Sequence, residues 1–286
     1  MRSPFVLGLS LLALLLGAMS CRKAPVRTNE VVAVPVAKMP DSPADPAWEK
    51  VPEHVARLLP QDLVEPRLMK VSTPEVFVRS VTNGAEIAFR LEWEDNEAND
   101  LTGPGRFVDA CAIQIPRKIE ANAPDPQMGQ AGRTVEIAFW RADWQASVNG
   151  RSDTLKSLYP NATVDHYPFE ARPLEPGTEA QREMAKRYAP AEAVGNRRVG
   201  PRQSPVEDLI AEGPGTLTPA PSSRSRGQGT RDQKGWSVML TRPLPEGLVP
   251  RLRTQIAFAV WEGGHAEVGS RKMRTGWIPL ALQEAK

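Results

Sequence analysis

Val76-Phe77-Val78-Arg79-Ser80-Val81-Thr82-Asn83-Gly84-Ala85-Glu86-Ile87-Ala88-Phe89-Arg90-Leu91-Glu92-Trp93 is the stretch whose reading decides the fold class. Two segments dense in β-branched and aromatic residues flank Asn83-Gly84, a pair that accommodates the positive backbone angles of a tight hairpin turn. The same texture recurs at 109–115, 135–142, 235–241, 254–262 and 275–282, each bounded by Gly, Pro or Asp. Seven or more strands with only weak helical periodicity predict an all-β fold: a two-sheet antiparallel β-sandwich with minor helices.

Working outward, folding is expected to begin near Asp45-Pro46-Ala47-Trp48, so that residues 45–286 form one domain. Between 145 and 233 the pattern weakens into a loop-rich insertion. Within it Glu179 to Tyr188 reads as a short helix, and the Ser, Arg and Gly run from Ala220 to Gln233 reads as an exposed segment. Residues 22–44 mix Pro, Val and charge without a sustained period and are expected to be a flexible tether. In residues 1–21, Arg2 precedes an apolar run from Phe5 to Met19 that is too short for a comfortable membrane span. It reads as an export signal. Ala18-Met19-Ser20-Cys21 resembles a bacterial lipoprotein cleavage site, so Cys21 is expected to carry lipid and the protein to be periplasmic, tethered at the membrane.

The chain of 286 residues has 41% hydrophobic and 24% charged residues, ordinary for a globular protein. Lys plus Arg number 36 against 34 Asp plus Glu, which gives no electrostatic case for nucleic acid or another polyanion. After Cys21 the only cysteine is Cys111, in the apolar Ala110-Cys111-Ala112-Ile113. That excludes an internal disulfide, a four-cysteine metal or iron–sulfur array and the Cys-x-x-Cys-His of covalent haem attachment. Neither a Gly-x-Ser-x-Gly, a phosphate loop, a dinucleotide fingerprint nor a His-Glu-x-x-His occurs. Glu92-Trp93-Glu94-Asp95 reads as a hairpin end and not as a catalytic carboxylate pair.

Three separated stretches carry a family likeness. The first is Met128-Gly129, in the turn-rich Pro124-Asp125-Pro126-Gln127-Met128-Gly129, followed by Val135-x-Ile137-x-Phe139-Trp140-x-Ala142-Asp143-Trp144. The second runs from Gly235-Trp236 into Thr241-Arg242-Pro243-Leu244. The third is Ile256 to Gly263, then Gly269-Ser270-Arg271-Lys272, then Trp277-x-x-Leu280. In that order they resemble the haem b-binding gamma subunit of the molybdenum enzymes related to ethylbenzene dehydrogenase, selenate reductase, chlorate reductase and dimethylsulfide dehydrogenase. The Asp45 to Trp48 opening is also seen in the β-sandwich family that holds haem-binding domains and some carbohydrate-binding modules. The resemblance implies one non-covalent b-type haem with Met128 and Lys272 as axial ligands, in an electron-transfer subunit without catalytic activity of its own. It implies as partners a molybdenum catalytic subunit, an iron–sulfur subunit and a soluble cytochrome c or similar carrier.

Read as residues alone, Met128 is an ordinary gap-filler and Lys272 an ordinary solvated lysine. His54, in an expected short helix, His166 in the loop-rich middle and His265 in Gly263-Gly264-His265 are the competing ligands, His265 foremost because it precedes Lys272 by seven residues. Arg242, Arg271 and Arg274 could pair with haem carboxylates or simply face solvent. Trp93, Trp140, Trp236 and Trp261 read as core. Trp48, Trp144 and Trp277, at strand margins, would form the sugar platform if the chain were instead a haem-free carbohydrate-binding or surface lipoprotein β-sandwich. A stand-alone haem lipoprotein is the third reading.

Overall fold

The computed structural model describes residues 25–152, 159–161, 177–188 and 202–284. The strands are β1 (Arg27–Thr28), β2 (Val31–Pro35), β3 (Glu53–Arg57), β4 (Leu59–Pro60), β5 (Glu75–Thr82), β6 (Glu86–Glu94), β7 (Ala110–Pro116) and β8 (Val135–Arg141). There follow β9 (Val206–Ala211), β10 (Thr218–Pro219), β11 (Arg226–Arg231), β12 (Gly235–Pro243), β13 (Arg253–Trp261), β14 (Met273–Arg274) and β15 (Ile278–Leu282). Helices α1 (Ala142–Val148) and α2 (Glu179–Tyr188) are short. The all-β expectation holds.

Hydrogen-bonded neighbours run β10-β9-β8-β7-β13-β15-β2-β5-β6-β12-β11. This ribbon folds back so that β7, β8, β9 and β13 face β5, β6 and β12 across one core. Cys111, Ile113, Ile115, Trp140, Ile256, Phe258 and Val260 from the first layer share a buried cluster with Val76, Val78, Ile87, Phe89, Leu91, Val238 and Leu240 from the second. The Trp140 and Trp236 rings meet edge to face at 5.0 Å, and Trp93 reaches Trp140 at 6.4 Å, a favoured geometry for aromatic pairs. The β5–β6 hairpin turns where the sequence places it: Asn83 Oδ1 accepts from the Ala85 and Glu86 amides at 3.0 and 2.8 Å, and Gly84 takes φ 87°.

Four expectations are corrected. The stretch expected to be a tether enters the sheet: β2 lies between β15 and β5, parallel to both, with Val31 and Ala33 buried. Its partners stand far away in sequence, so no local period could announce it. The parallel pairs β1–β3, β2–β5 and β2–β15 also make the sandwich mixed and not purely antiparallel. The insertion at 145–233 carries β9 and β11, and its expected helix is present as α2. His54 stands on strand β3, not in a helix, with Nδ1 2.9 Å from the Thr28 carbonyl oxygen. The apolar leader, Cys21 and His166 lie outside the described residues.

Candidate functional site

Alternation along a strand sends successive side chains to opposite faces. On β7 and β13 the face turned away from the core carries Ala110, Ala112 and Gln114 beside Ala257, Ala259 and Trp261, with Ala112 opposite Ala259 and Ala110 opposite Trp261. β8 adds Ile137, Phe139 and Arg141 to the same face. Four alanines leave a shallow floor, and loops stand around it instead of packing onto it. They enclose a cavity of about 460 Å³, walled by Gln61, Val64, Met128, Pro214, Glu267 and Lys272 among others. That size suits a bound organic molecule, for which pockets of ~300–1,000 Å³ are usual.

Met128 reaches this cavity from the loop before β8. Asp125 organises the turn: its Oδ1 accepts from the Gln127 amide at 2.8 Å and its carbonyl from the Gly129 amide at 2.9 Å. Met128 and Gly129 then both take positive φ, 71° and 82°. A methionine held there costs ~1–3 kcal/mol and persists only where its surroundings over-determine it. They do. Gly213 N donates to the Met128 carbonyl at 2.8 Å, Gln114 Nε2 to the Pro126 carbonyl at 3.0 Å, and Trp277 Nε1 to the Pro124 carbonyl at 2.6 Å.

Lys272 enters from the segment before β14, on another wall of the same cavity. Gln61 fixes that segment: its amide donates to the Lys272 carbonyl at 2.9 Å and its Nε2 to the Ser270 carbonyl at 3.0 Å. The ammonium lies 5.1 Å from the Trp261 ring centroid and has no carboxylate partner among the described residues. Protein surrounds the amine although the cavity leaves part of the residue accessible. Burial first, and the Arg274 charge second, bring its pKa down from 10.5 to about 8. A lysine thus prepared loses its proton to solvent more readily than a solvated one, which frees the amine lone pair for a metal.

The structure therefore brings Met128 and Lys272 into one cavity, and His265 is not part of it. His265 is more than half exposed, with Nδ1 3.3 Å from Glu262 Oε2. Arg242 pairs with Glu136, Arg271 lies over the Phe107 ring at 5.6 Å, and Arg274 lines the cavity. Trp48 and Trp144 are buried, and Trp277 is tied to the Met128 loop, so the three do not form an exposed platform. No group of three or more His, Cys, Asp or Glu is placed to hold a metal ion among the described residues.

Sequence reading missed the floor, Gln61 and Glu267. Glu267 is 1% exposed and lines the cavity, accepting from Ser72 Oγ and from the Glu262 amide, and burial holds its pKa above the ordinary carboxylate value. Alternating alanines at 110 and 112, and again at 257 and 259, are the available signal for the floor. Nothing local marks Gln61.

A family model described as ethylbenzene dehydrogenase matches residues 45–273. A Haloferax mediterranei protein named "Putative respiratory nitrate reductase heme subunit ORF7" is 23% identical over 260 residues, covering 88% of this chain and 72% of that protein. The chlorate reductase subunit gamma of Ideonella dechloratans is 25% identical over 273 residues, covering 92% and 89%. Among solved structures, a carbohydrate binding module family 9 from Caldicellulosiruptor kristjanssonii in complex with cellotriose aligns over 91% of this chain and 95% of its own, at 9% identity and a TM-score of 0.44.

Proposed function

The chain belongs to the ethylbenzene dehydrogenase family, and we propose that it is a haem-binding electron-transfer subunit that seats one non-covalent b-type haem between Met128 and Lys272. The observation that supports this most is the meeting of those two side chains, remote in sequence, in one alanine-floored cavity. The residues fit the group. A flat macrocycle needs a floor without bulk, and Ala110, Ala112, Ala257 and Ala259 supply it. A lysine ligand needs an unpaired amine with a lowered proton affinity, and Lys272 has both.

When bound, haem supplies one-electron redox chemistry. Met128 contributes a soft neutral thioether, which favours ferrous iron and raises the potential. Lys272 contributes a nitrogen donor once its proton is released. With Met128 and Lys272 both committed to the iron, the chain would leave no position open for substrate, and its role would be electron relay. The relatives named as subunits of nitrate and chlorate reductases support a place in such a complex. The partners proposed are a molybdenum catalytic subunit and an iron–sulfur subunit, with a soluble cytochrome c or similar carrier on the other side. The reading includes export to the periplasm and acylation of Cys21.

Absorption spectroscopy of the full chain, exported from haem-replete cells, tests the core of this reading. About one haem per chain is expected, low-spin and wholly extractable by acid-acetone, since the sequence has no Cys-x-x-Cys-His to fix it. Colourless protein from such cells would overturn it.

A further inference from the structure

Five ionisable side chains line the cavity: Glu65, Arg141, Glu267, Lys272 and Arg274. Three are already partnered. Arg141 makes a two-pronged contact with Asp143, Nε to Oδ1 at 2.8 Å and Nη2 to Oδ2 at 2.9 Å. Glu65 lies 2.8 Å from the Arg67 guanidinium, and Glu267 is held by Ser72 and the Glu262 amide. The two that remain are both cations. They stand at alternate positions of one segment, with Met273 between them turned into the core, so both face the same space. Near the Lys272 amine lie the Trp261 ring and the Arg274 charge, and no carboxylate pairs with it among the described residues.

Arg274 has less. Among the described residues the carboxylate paired with it is Asp62, whose Oδ1 is 3.8 Å away and therefore outside hydrogen-bond distance, on a side chain that is 56% exposed. Its own side chain is 16% exposed, and its Nε is buried with no hydrogen-bond partner among the described residues. A guanidinium removed from water is costly unless its donors are matched, and its planar fork matches a carboxylate above all. Two neighbouring cations facing one cavity compound that cost.

We infer that Arg274 is the anchor for a carboxylate carried by the molecule that fills the cavity, and that the carboxylate is one of the two on the periphery of a b-type haem. The inference rests on the haem reading. It assigns Arg274 a binding role separate from that of Lys272: Lys272 would hold the iron, and Arg274, two residues on, would hold the acidic edge of the group. Arg141 and Arg242, each committed to a carboxylate of the chain, are excluded from that role by their partners.

The test removes the charge from each side of the contact. Apo full-length chain is titrated with iron protoporphyrin and with its dimethyl ester, in the wild type and in Arg274→Gln, Arg274→Lys and Asp62→Asn. The wild type should bind the free acid about tenfold tighter than the ester, Arg274→Gln should bind the two within about twofold, and Arg274→Lys should recover part of the preference. Asp62→Asn should keep the wild-type preference. Full discrimination in a folded Arg274→Gln, or none in the wild type, overturns the assignment. Should Arg274→Gln fail to fold by circular dichroism, the folded Arg274→Lys decides, since an unaltered preference there denies any demand for the fork. Wild type that takes up haem with a low-spin spectrum and shows no preference sinks this inference alone. Wild type that takes up no haem sinks the haem reading and this inference together.

Discussion

The two faces of β7 and β13 come from the same residues in alternation, and they solve opposite problems. On the inner face Cys111, Ile113, Ile115, Ile256, Phe258 and Val260 are at most 2% exposed because they fill the space between two sheets with their own volume. On the outer face Ala110, Ala112 and Ala257 are almost as buried, at 3 to 5%, although they fill almost nothing. They are covered by larger neighbours, Ile137, Leu209 and Trp261 on strands and Met128 and Trp277 on loops. A core is made by side chains that occupy their space; a seat is made by small side chains and by a rim that others hold up. The inner face should therefore govern stability and the outer face occupancy, and substitutions can separate the two.

The largest expected effects lie on the seat. Lys272→Ala should remove the nitrogen donor and give high-spin iron or loss of haem, whereas Met128→Ala should retain haem at a lowered potential because the thioether that favours ferrous iron is gone. Both read out in the absorption spectrum and redox titration, with the thermal transition of the apo protein changed by only a few degrees. If neither moves the spectrum while His265→Ala abolishes it, the ligands are wrong although haem binding stands. Next in size is Ala112→Phe, which puts a ring on the floor opposite Ala259. Haem uptake should be abolished while circular dichroism and apo stability stay near wild type. Normal uptake would place the haem elsewhere.

One residue along, the prediction inverts. Ile113→Ala removes a fully buried side chain from the space between the sheets, and truncations of that kind cost ~2–5 kcal/mol through lost burial and a residual cavity. Denaturant unfolding of the apo protein should show that loss, and the low-spin spectrum of folded holoprotein should be unchanged. Equal effects on both readouts would mean that the faces are not independent.

The inner face was the legible one. Alternation of large apolar residues is a local property, so β5 to β8, β12 and β13 could be read within a residue or two, and so could the all-β class. The seat was half legible. Met128 and Lys272 stood out by likeness to a family, but what unites them, the cavity, depends on loops held by Gln61, Gln114, Gly213 and Trp277, whose bonds join segments far apart in the chain. The same limit hid β2, whose buried Val31 and Ala33 are explained only by partners in β5 and β15. Trp144 and Trp48 were misjudged for a related reason: standing at a strand margin says nothing about whether another segment covers the ring.

Asp109 stands just before β7, where the two faces begin, between the cavity-lining Val108 and Ala110. It accepts from Trp236 Nε1 at 3.0 Å and from the Asn99 and Gly263 amides at 2.8 Å. Burial, with the Asp95 charge nearby, nevertheless lifts its pKa from 3.8 to about 7. The folded protein thus holds a proton that the unfolded chain releases near pH 4. Stability should be greatest below that pH as far as this group is concerned, fall as the pH rises to about 7 and level off above it. The decline is on the order of 4 kcal/mol at most, taking ~1.4 kcal/mol per unit. Chemical denaturation of the apo protein at pH 5 and pH 8 checks the sign: the wild type should lose stability between them relative to Asp109→Asn, and a wild type that gains stability relative to the variant would refute it. The haem spectrum should not follow this titration if the inner face sets stability alone.

The smallest effect probes how the rim is held. Gly129 and Gly132 share the loop that carries Met128, and both have positive φ, 82° and 74°. A side chain at Gly132 would meet nothing within 4 Å, whereas a Cβ at Gly129 would lie 2.8 Å from the Arg133 carbonyl oxygen and 3.0 Å from that of Ala211. Gly132→Ala should therefore cost only the conformational strain of a left-handed alanine, ~1 kcal/mol. Gly129→Ala adds a clash with two backbone atoms that cannot rotate away, for a total of ~1–3 kcal/mol. The second cost has a functional edge that the first lacks. Relieving the clash means moving Gly129 off β9, and Met128 is bonded to Gly213, just beyond β9, through its own carbonyl. Gly129→Ala should then lower the haem potential in the direction of Met128→Ala, and Gly132→Ala should leave it in place. Equal potentials in the two alanine variants would show that the thioether is positioned by the side chain's own packing and not by the backbone that presents it.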